Sequence, residues 1–321
     1  MTKRVFSGFQ PTGHLTIGNL LGAIRPAVQL QDEADCVYAV VDLHALTVRH
    51  DPERLRARTR EAATLLLACG LDRSLVYIQS QVPAHTELSY LLESTAYFGE
   101  MRRMIQFKEK SAGQEEVRLS LLTYPALMAA DILLHRTDLV PVGEDQRQHV
   151  ELTRDLALRF NRLYGETFTV PEAVHPRVAA RVMDLTTPTS KMGKSNGSTA
   201  GTVYMLDPPA DVRRKVMRAV TDSGTEVRYD PQDKPGVSNL LAVLAACSGR
   251  PVESLAHETY GALKRDTAEA VVETLRPIQE RYLELSADPA ELSRLLAAGA
   301  ARAAERGAGL LAAAREAIGL P

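Results

Sequence analysis

Arg4 to Gln31 reads "RVFSGFQPTGHLTIGNLLGAIRPAVQLQ". Its first six residues form a short buried-strand pattern. A Gly/Pro-rich turn follows, and then Leu20, Leu21, Ile24 and Val28 recur at helical spacing. Strand then helix is the building unit of a parallel sheet, because parallel strands need a crossover between them. The unit repeats along the first half of the chain. "CVYAVVD" (Cys36 to Asp42) is a second β-rich run. Asp51 to Gly70 reads as a helix with Asp51 as cap, Pro52 at its first position and Gly70 as stop. "SLVYIQS" (Ser74 to Ser80) is a third strand, followed by a helical stretch from about 85 to 135. "TDLVPVG" (Thr137 to Gly143) is a fourth strand, and the next 22 residues are strongly helical in pattern. The alternation predicts an α/β fold with a doubly wound parallel sheet, whose ligands lie beyond the carboxyl ends of its strands.

A chain of 321 residues is long for one core, so two domains are expected. From Pro208 onward nearly every segment reads as helix. The expected boundary lies near 187: residues 1–187 form the sheet-bearing domain, with a helical insertion at about 82–135. Residues 188–321 begin with a loop and continue as an all-α domain whose last helix packs back on the first. A net charge of −2 neither announces a nucleic-acid binder nor excludes a local basic patch. Three cysteines without a C-x-x-C pair argue against a disulfide framework or a zinc site, and suit a reducing compartment. There is no signal-peptide pattern and no apolar run near the ~20 residues that span a bilayer. The expected location is the cytoplasm, away from membranes.

Several stretches place polar chemistry where such a sheet holds a ligand. "SGFQPTGHLTIGN" (Ser7 to Asn19) joins the first strand to its helix. Free N–H groups at a helix start favour an anion, Gly18 permits close backbone approach, and Thr16 and Asn19 add hydrogen-bonding side chains. A plain strand-to-helix turn has the same composition. "QFKEKSAG" (Gln106 to Gly113) sets Lys108 and Lys110 before a break, a pattern shared with solvated charge runs. "LLTYPALMAADILLH" (Leu121 to His135) puts Tyr124, Met128 and Asp131 on one helical face. A carboxylate in so apolar a stretch needs a partner, either structural or supplied by a ligand. In "VGEDQ" (Val142 to Gln146), Glu144 and Asp145 are first-turn acids suited to the helix dipole, or acids placed for a ribose hydroxyl pair. "SKMGKSNGST" (Ser190 to Thr199) carries Lys191 and Lys194 in a run with no apolar face, as a mobile loop would. The "GKS" within it is not a P-loop, whose first glycine would fall at Pro188.

Together these stretches resemble the class I aminoacyl-tRNA synthetases. Gln10-Pro11-Thr12 followed by Thr16-Ile17-Gly18-Asn19 is similar to their first signature, and "SKMGKS" to their second. "GEDQ" is similar to the ribose-binding motif of the tyrosyl and tryptophanyl pair. "MAADILL", "VGEDQRQHVELTRDLA", "QFKEKSAG", "KPGVSNLL" and "ETLRPIQERY" look like the tryptophanyl branch, and the match runs along essentially the whole chain. Spacing to Gly18 puts Thr16 where many members have the first signature's histidine, which leaves His14 as a turn residue. Gly193 departs from the serine usual in the second signature, removing a hydroxyl and loosening the backbone.

The resemblance implies a Rossmann-like catalytic domain followed by an α-helical anticodon-binding domain, in a homodimer. It implies ATP-dependent activation of L-tryptophan to tryptophanyl-adenylate and transfer to tRNA(Trp). ATP would enter with Mg²⁺ as a substrate complex, with no structural metal. Thr16, Gly18 and Asn19 would hold the phosphates, with Gln10, Pro11 and Thr12 beside them. Gly143, Glu144 and Asp145 would hold the ribose, and backbone near Val182 the adenine. Lys110, Lys191 and Lys194 would neutralise charge growing on the pyrophosphate, with Met192, Gly193 and Ser195 completing the loop. Asp131 would accept the indole N–H. Phe6, Met128, Val140 and Val142 would pack the ring, with His44 and Gln106 nearby, and Tyr124 and Gln146 would meet the α-amino group. Tyrosyl relatives carry a tyrosine where this chain has Phe6, which cannot hydrogen-bond. The alternatives are a tyrosyl-like enzyme, a nucleotidylyltransferase, which would not need the helical half, and a regulatory paralogue, which would have lost the lysines. Arg213, Arg214, Lys215 and Arg218 read either as an anticodon-facing patch or as a solvated helix face.

Overall fold

Among the described residues, five parallel strands define the architecture: β1 (Arg4–Phe9), β2 (Asp35–Val40), β3 (Leu75–Ile78), β4 (Leu139–Pro141) and β5 (Glu172–Val174). Their spatial order is β3-β2-β1-β4-β5. The computed structural model describes residues 2–113, 115–174, 181–193 and 199–321. β1 pairs along its length with β2, from Arg4↔Asp35 to Phe9↔Val40, and meets β4 through Val5↔Leu139. The order reverses at β1, so its carboxyl end faces the crevice where such sheets bind ligands. Four of the five strands follow the sequence pattern. β5 was not expected: three residues, Glu172–Val174, are too few to show a period.

The helices are α1 (Ile17–Asn19), α2 (Arg25–Leu30), α3 (Pro52–Ala68), α4 (Ala84–Glu93), α5 (Phe98–Arg103), α6 (Ile105–Ser111), α7 (Leu119–Leu134), α8 (Arg147–Tyr164), α9 (Pro209–Met217), α10 (Pro235–Ser248), α11 (Tyr260–Ala287) and α12 (Pro289–Ala317). A turn of π-helix, Leu20–Ile24, links α1 to α2. The cap of α3 is as read: Asp51 accepts from the Arg54 N–H at 2.7 Å, and Gly70 adopts φ 89°, which only glycine takes without strain. The stretch expected as one helical insertion is four helices, α4 to α7. Gly113 at φ 73° follows the end of α6.

The chain divides into two compact units. One comprises Met1–Thr12, Leu30–Pro176 and Pro289–Pro321; the other comprises Gly13–Gln29 and Arg177–Asp288. The first holds the whole sheet, and α12 packs on β3 within it. A Cβ on Gly299 would stand 2.0 Å from the Val76 carbonyl oxygen, so the helix backbone approaches the strand where only glycine fits. Arg306 of α12 pairs bidentately with Asp35 at the start of β2, at 2.9 and 2.7 Å. The second unit packs α9 and α10 on α11. In it Ile17 N–H donates to the Val203 carbonyl and Met205 N–H to the Leu15 carbonyl, tying the turn before α1 to residues 203–205.

Candidate active site

In the sheet-bearing unit, the residues assigned to the amino acid converge. Phe6, Val140 and Val142 belong to one buried apolar cluster, and Met128 packs against it. Asp131 on α7 is 1% exposed among them. Its Oδ2 accepts from His44 Nε2 at 2.9 Å, and its Oδ1 accepts from Gln79 Nε2 at 2.6 Å. His85 Nδ1 stands 2.7 Å from Oδ1. Burial alone would raise its pKa. The His44 and His85 rings beside it outweigh that and hold the carboxyl below its ordinary range, so Asp131 is an anion. Gln79 is oriented in turn by Leu43 N–H, which donates to its Oε1 at 3.1 Å.

Beside this hub the Tyr124 hydroxyl lies 2.6 Å from His149 Nε2 and 3.2 Å from Gln106 Oε1. Burial pushes the Tyr124 phenol up to about 12 and, with help from the Lys110 charge, pushes His149 down to about 4. Lys110 Nζ donates to Gln106 Oε1 at 3.1 Å and rests 5.9 Å from the Tyr124 ring centre. Gln106 Nε2 donates to the Asp145 carbonyl, and Gln10 Nε2 to the His44 carbonyl, each at 3.2 Å. Gly143, Glu144, Asp145 and Gln146 form the turn between β4 and α8, where Gln146 Nε2 donates to Asp145 Oδ2 at 3.2 Å. Pro11 is buried and Thr12 exposed at the end of this unit's first segment.

The second unit holds the rest. Thr16 caps α1 through a reciprocal box: Asn19 N–H donates to Thr16 Oγ1 at 3.2 Å, and Thr16 N–H to Asn19 Oδ1 at 3.0 Å. Gly18 lies against Val182 and Met192, whose Cβ atoms would be 3.5 and 4.0 Å from a side chain there. Met192 N–H donates to the Val182 carbonyl at 3.0 Å, and Lys191 bridges to Met183, so the first lysine of the loop sits on an ordered β-bridge. Gly193 is the last described residue before a gap. Lys194 and Ser195 lie outside the described residues. His14 makes an edge contact with Tyr204, ring centres 5.5 Å apart. The basic cluster on α9 is largely neutralised by its own fold: Arg213 pairs bidentately with Glu269, Arg214 with Asp211, and Lys215 with Asp207 at 2.6 Å.

Sequence reading missed Gln79, His85, Tyr77, His135 and His149, all within the polar surroundings of Asp131 and Tyr124. Only a buried polar residue in an apolar run could have pointed to them. Among the described residues, no group of three or more His, Cys, Asp or Glu is arranged to hold a metal, and no helix is long and apolar enough to cross a membrane.

The five-stranded parallel sheet with its order reversing at β1 fits the catalytic fold of a class I synthetase. The family described as tRNA synthetases class I (W and Y) matches residues 2–276, and the chain belongs to it. It is 61% identical to tryptophan--tRNA ligase 1 of Streptomyces avermitilis, with 99% of each chain covered. Among solved structures it resembles tryptophanyl-tRNA synthetase from Mycoplasma pneumoniae (TM-score 0.90, 35% identity, 100% of this chain and 99% of that one). It also resembles the Campylobacter jejuni enzyme complexed with ADP and tryptophan (TM-score 0.84, 32% identity, 99% and 100% covered).

Proposed function

We infer that this chain activates L-tryptophan with ATP and transfers the product to tRNA(Trp). The observation that carries the reading is Asp131, a buried carboxylate held as an anion within an apolar cluster that includes Phe6. An indole N–H only donates, so it needs an acceptor, and a preformed anion is a strong one. Phe6 offers nothing to a phenol, which argues against tyrosine.

In the proposed reaction the tryptophan carboxylate attacks the α-phosphate of ATP, giving tryptophanyl-adenylate and pyrophosphate. The acyl group then passes to a hydroxyl of the terminal ribose of the tRNA, and AMP leaves. Catalysis is positioning plus electrostatic stabilisation, without a covalent enzyme intermediate. Met128, Val140 and Val142 pack the indole, with Tyr124 and Gln146 on the α-amino group. Gly143 and Asp145 meet the ribose. Thr16, Gly18 and Asn19 take the phosphates, with Mg²⁺ as part of the ATP substrate. Lys110, Lys191 and Lys194 neutralise the pyrophosphate as charge develops. Residues 1–187 would act as the catalytic domain and the helices of 188–321 as the anticodon-binding part. The test is ATP–pyrophosphate exchange with tryptophan, with tyrosine and with neither: exchange is expected with tryptophan alone. Lys194→Ala should lower kcat by roughly 10²-fold or more with little change in KM for tryptophan. Near-normal exchange in that variant removes the lysine from the mechanism.

The protein is proposed to work as a cytoplasmic homodimer. Support comes from one unit's exposed apolar side chains: Tyr90 (72% exposed), Tyr97, Phe98 (66%) and Ile105 on or beside α4 to α6, and Leu158, Leu163 and Tyr164 on α8. Apolar surface of this kind is typical of subunit interfaces. Sedimentation should give a dimer for the wild type and a monomer for Leu158→Glu; a wild-type monomer would overturn the assignment.

A further inference from the structure

The polar cluster around Asp131 extends well past the contacts a tryptophan acceptor needs. His85 of α4, whose Nδ1 faces Asp131, has its Nε2 2.8 Å from the Tyr77 hydroxyl. The same hydroxyl lies 2.8 Å from His135 Nε2. The His135 ring stacks on Phe6, with centres 6.0 Å apart and planes 17° from parallel. Tyr77 and His85 are fully buried and His135 is 2% exposed, so the chain of contacts runs through the protein interior.

One proton on each ring gives a consistent direction to every bond in it. His85 Nδ1 is 2.7 Å from a carboxylate oxygen, at an angle outside hydrogen-bonding range. At that distance a bare nitrogen lone pair would repel the anion, so Nδ1 carries the proton. With one proton on the ring, its Nε2 is then an acceptor, and it takes the single proton of Tyr77. The Tyr77 oxygen in turn accepts, so His135 donates from Nε2, which leaves its buried Nδ1 as a bare acceptor with no hydrogen-bond partner among the described residues. Burial keeps the Tyr77 phenol neutral and, with the charges around it, holds His135 down to about 3, so Tyr77 and His135 are both uncharged.

We propose that Tyr77 and His135 are positioning residues that set amino-acid specificity through His85. Tyr77 locks the His85 tautomer, and His85 with Gln79 occupies Asp131 Oδ1. The open lone-pair position of Oδ2, beside His44, is thereby reserved for a ring N–H donor. The site selects aromatic amino acids that bear such a donor over those of the same shape that lack it. The proposal rests on Asp131 being the indole acceptor.

The test compares tryptophan with its benzothiophene analogue, in which sulfur replaces the indole N–H, in ATP–pyrophosphate exchange. The wild type should prefer tryptophan strongly. Tyr77→Phe keeps the ring volume and removes the hydroxyl that fixes His85. It should cut that preference by about tenfold, because tryptophan kcat/KM falls while the analogue's does not, with KM for ATP unchanged. Equal losses for both substrates would mean a merely structural role and overturn the proposal. A wild type that uses both substrates equally would overturn the Asp131 reading and this one with it, whereas an unchanged preference in Tyr77→Phe would overturn this one alone. A second readout does not depend on the variant folding: the ¹⁵N spectrum of histidine-labelled wild type. His85 should appear as a neutral ring protonated at Nδ1, and the Nε2–H tautomer or an imidazolium would refute the assignment.

Discussion

Asp145 lies directly against Gly143: a Cβ built on Gly143 would stand 2.7 Å from Asp145 Oδ1. The bare Cα leaves room for the carboxylate to fold back over the turn between β4 and α8. Gly143→Ala is therefore expected to displace Asp145, and to raise KM for ATP by roughly tenfold, the scale of one lost charge-assisted hydrogen bond. The KM for tryptophan should hold. An unchanged KM for ATP in exchange assays would remove Asp145 from the ribose site.

The buried histidines make stability sensitive to mild acid. Burial lowers His135 to about 3 and His149 to about 4. In the unfolded chain both return to about 6.5. Their folded pKa values lie below the unfolded ones, so the stability they contribute is present above pH ~6.5 and is lost as pH falls towards 4. The expected slope reaches about 2.7 kcal/mol per pH unit, from one extra proton bound by each histidine in the unfolded state. Asp131, also lowered in the fold, adds a further loss only as pH falls below about 4. Urea unfolding at several pH values between about 7 and 5 measures this, and a flat profile would contradict the neutral buried rings.

Two glycines of α12 should respond in opposite ways. Gly299 meets the Val76 carbonyl oxygen, a backbone atom that cannot step aside, whereas a side chain on Gly309 would meet nothing within 4 Å. Gly299→Ala is expected to destabilise the protein by about 1–3 kcal/mol. Gly309→Ala should stabilise it by about 0.5–1 kcal/mol through helix propensity. Thermal unfolding of the pair checks both, and a Gly299→Ala as stable as the wild type would mean that α12 does not dock on β3 this closely.

Gly193 follows a lysine already held on a β-bridge, Lys191 to Met183. Gly193→Ser should therefore leave KM for tryptophan unchanged and raise the exchange rate modestly, by about two- to fivefold, if backbone freedom at this position costs loop closure. A fall in rate would show that the glycine suits this loop better than the hydroxyl.

How much of this was readable beforehand follows from the range of the forces involved. Strand and helix periods, the Asp51 cap, the Gly70 stop and the two lysines of Ser190 to Thr199 are local, so the order of elements and the candidate ligand-binding turns followed from the chain alone. So did the oddity of a carboxylate at Asp131 in an apolar helix. Its partners did not: Gln79 is 52 residues away and His44 is 87, and no local pattern marks a buried glutamine or histidine as the neighbour of an acid. β5 is too short to show a period. The last helix is expected to pack back on the sheet-bearing part, but its close approach to β3 at Gly299 is a fact about distance in space. The neutralisation of Arg213 is of the same kind, since Glu269 is 56 residues away, whereas Asp211 stands one helical turn before Arg214. Local side-chain spacing thus determined the elements, their order and the candidate ligand-binding turns of this protein. Tertiary packing alone decided which polar groups were buried together, and with them the ionisation of Asp131, because the cost of burying a charge depends on whatever folds around it.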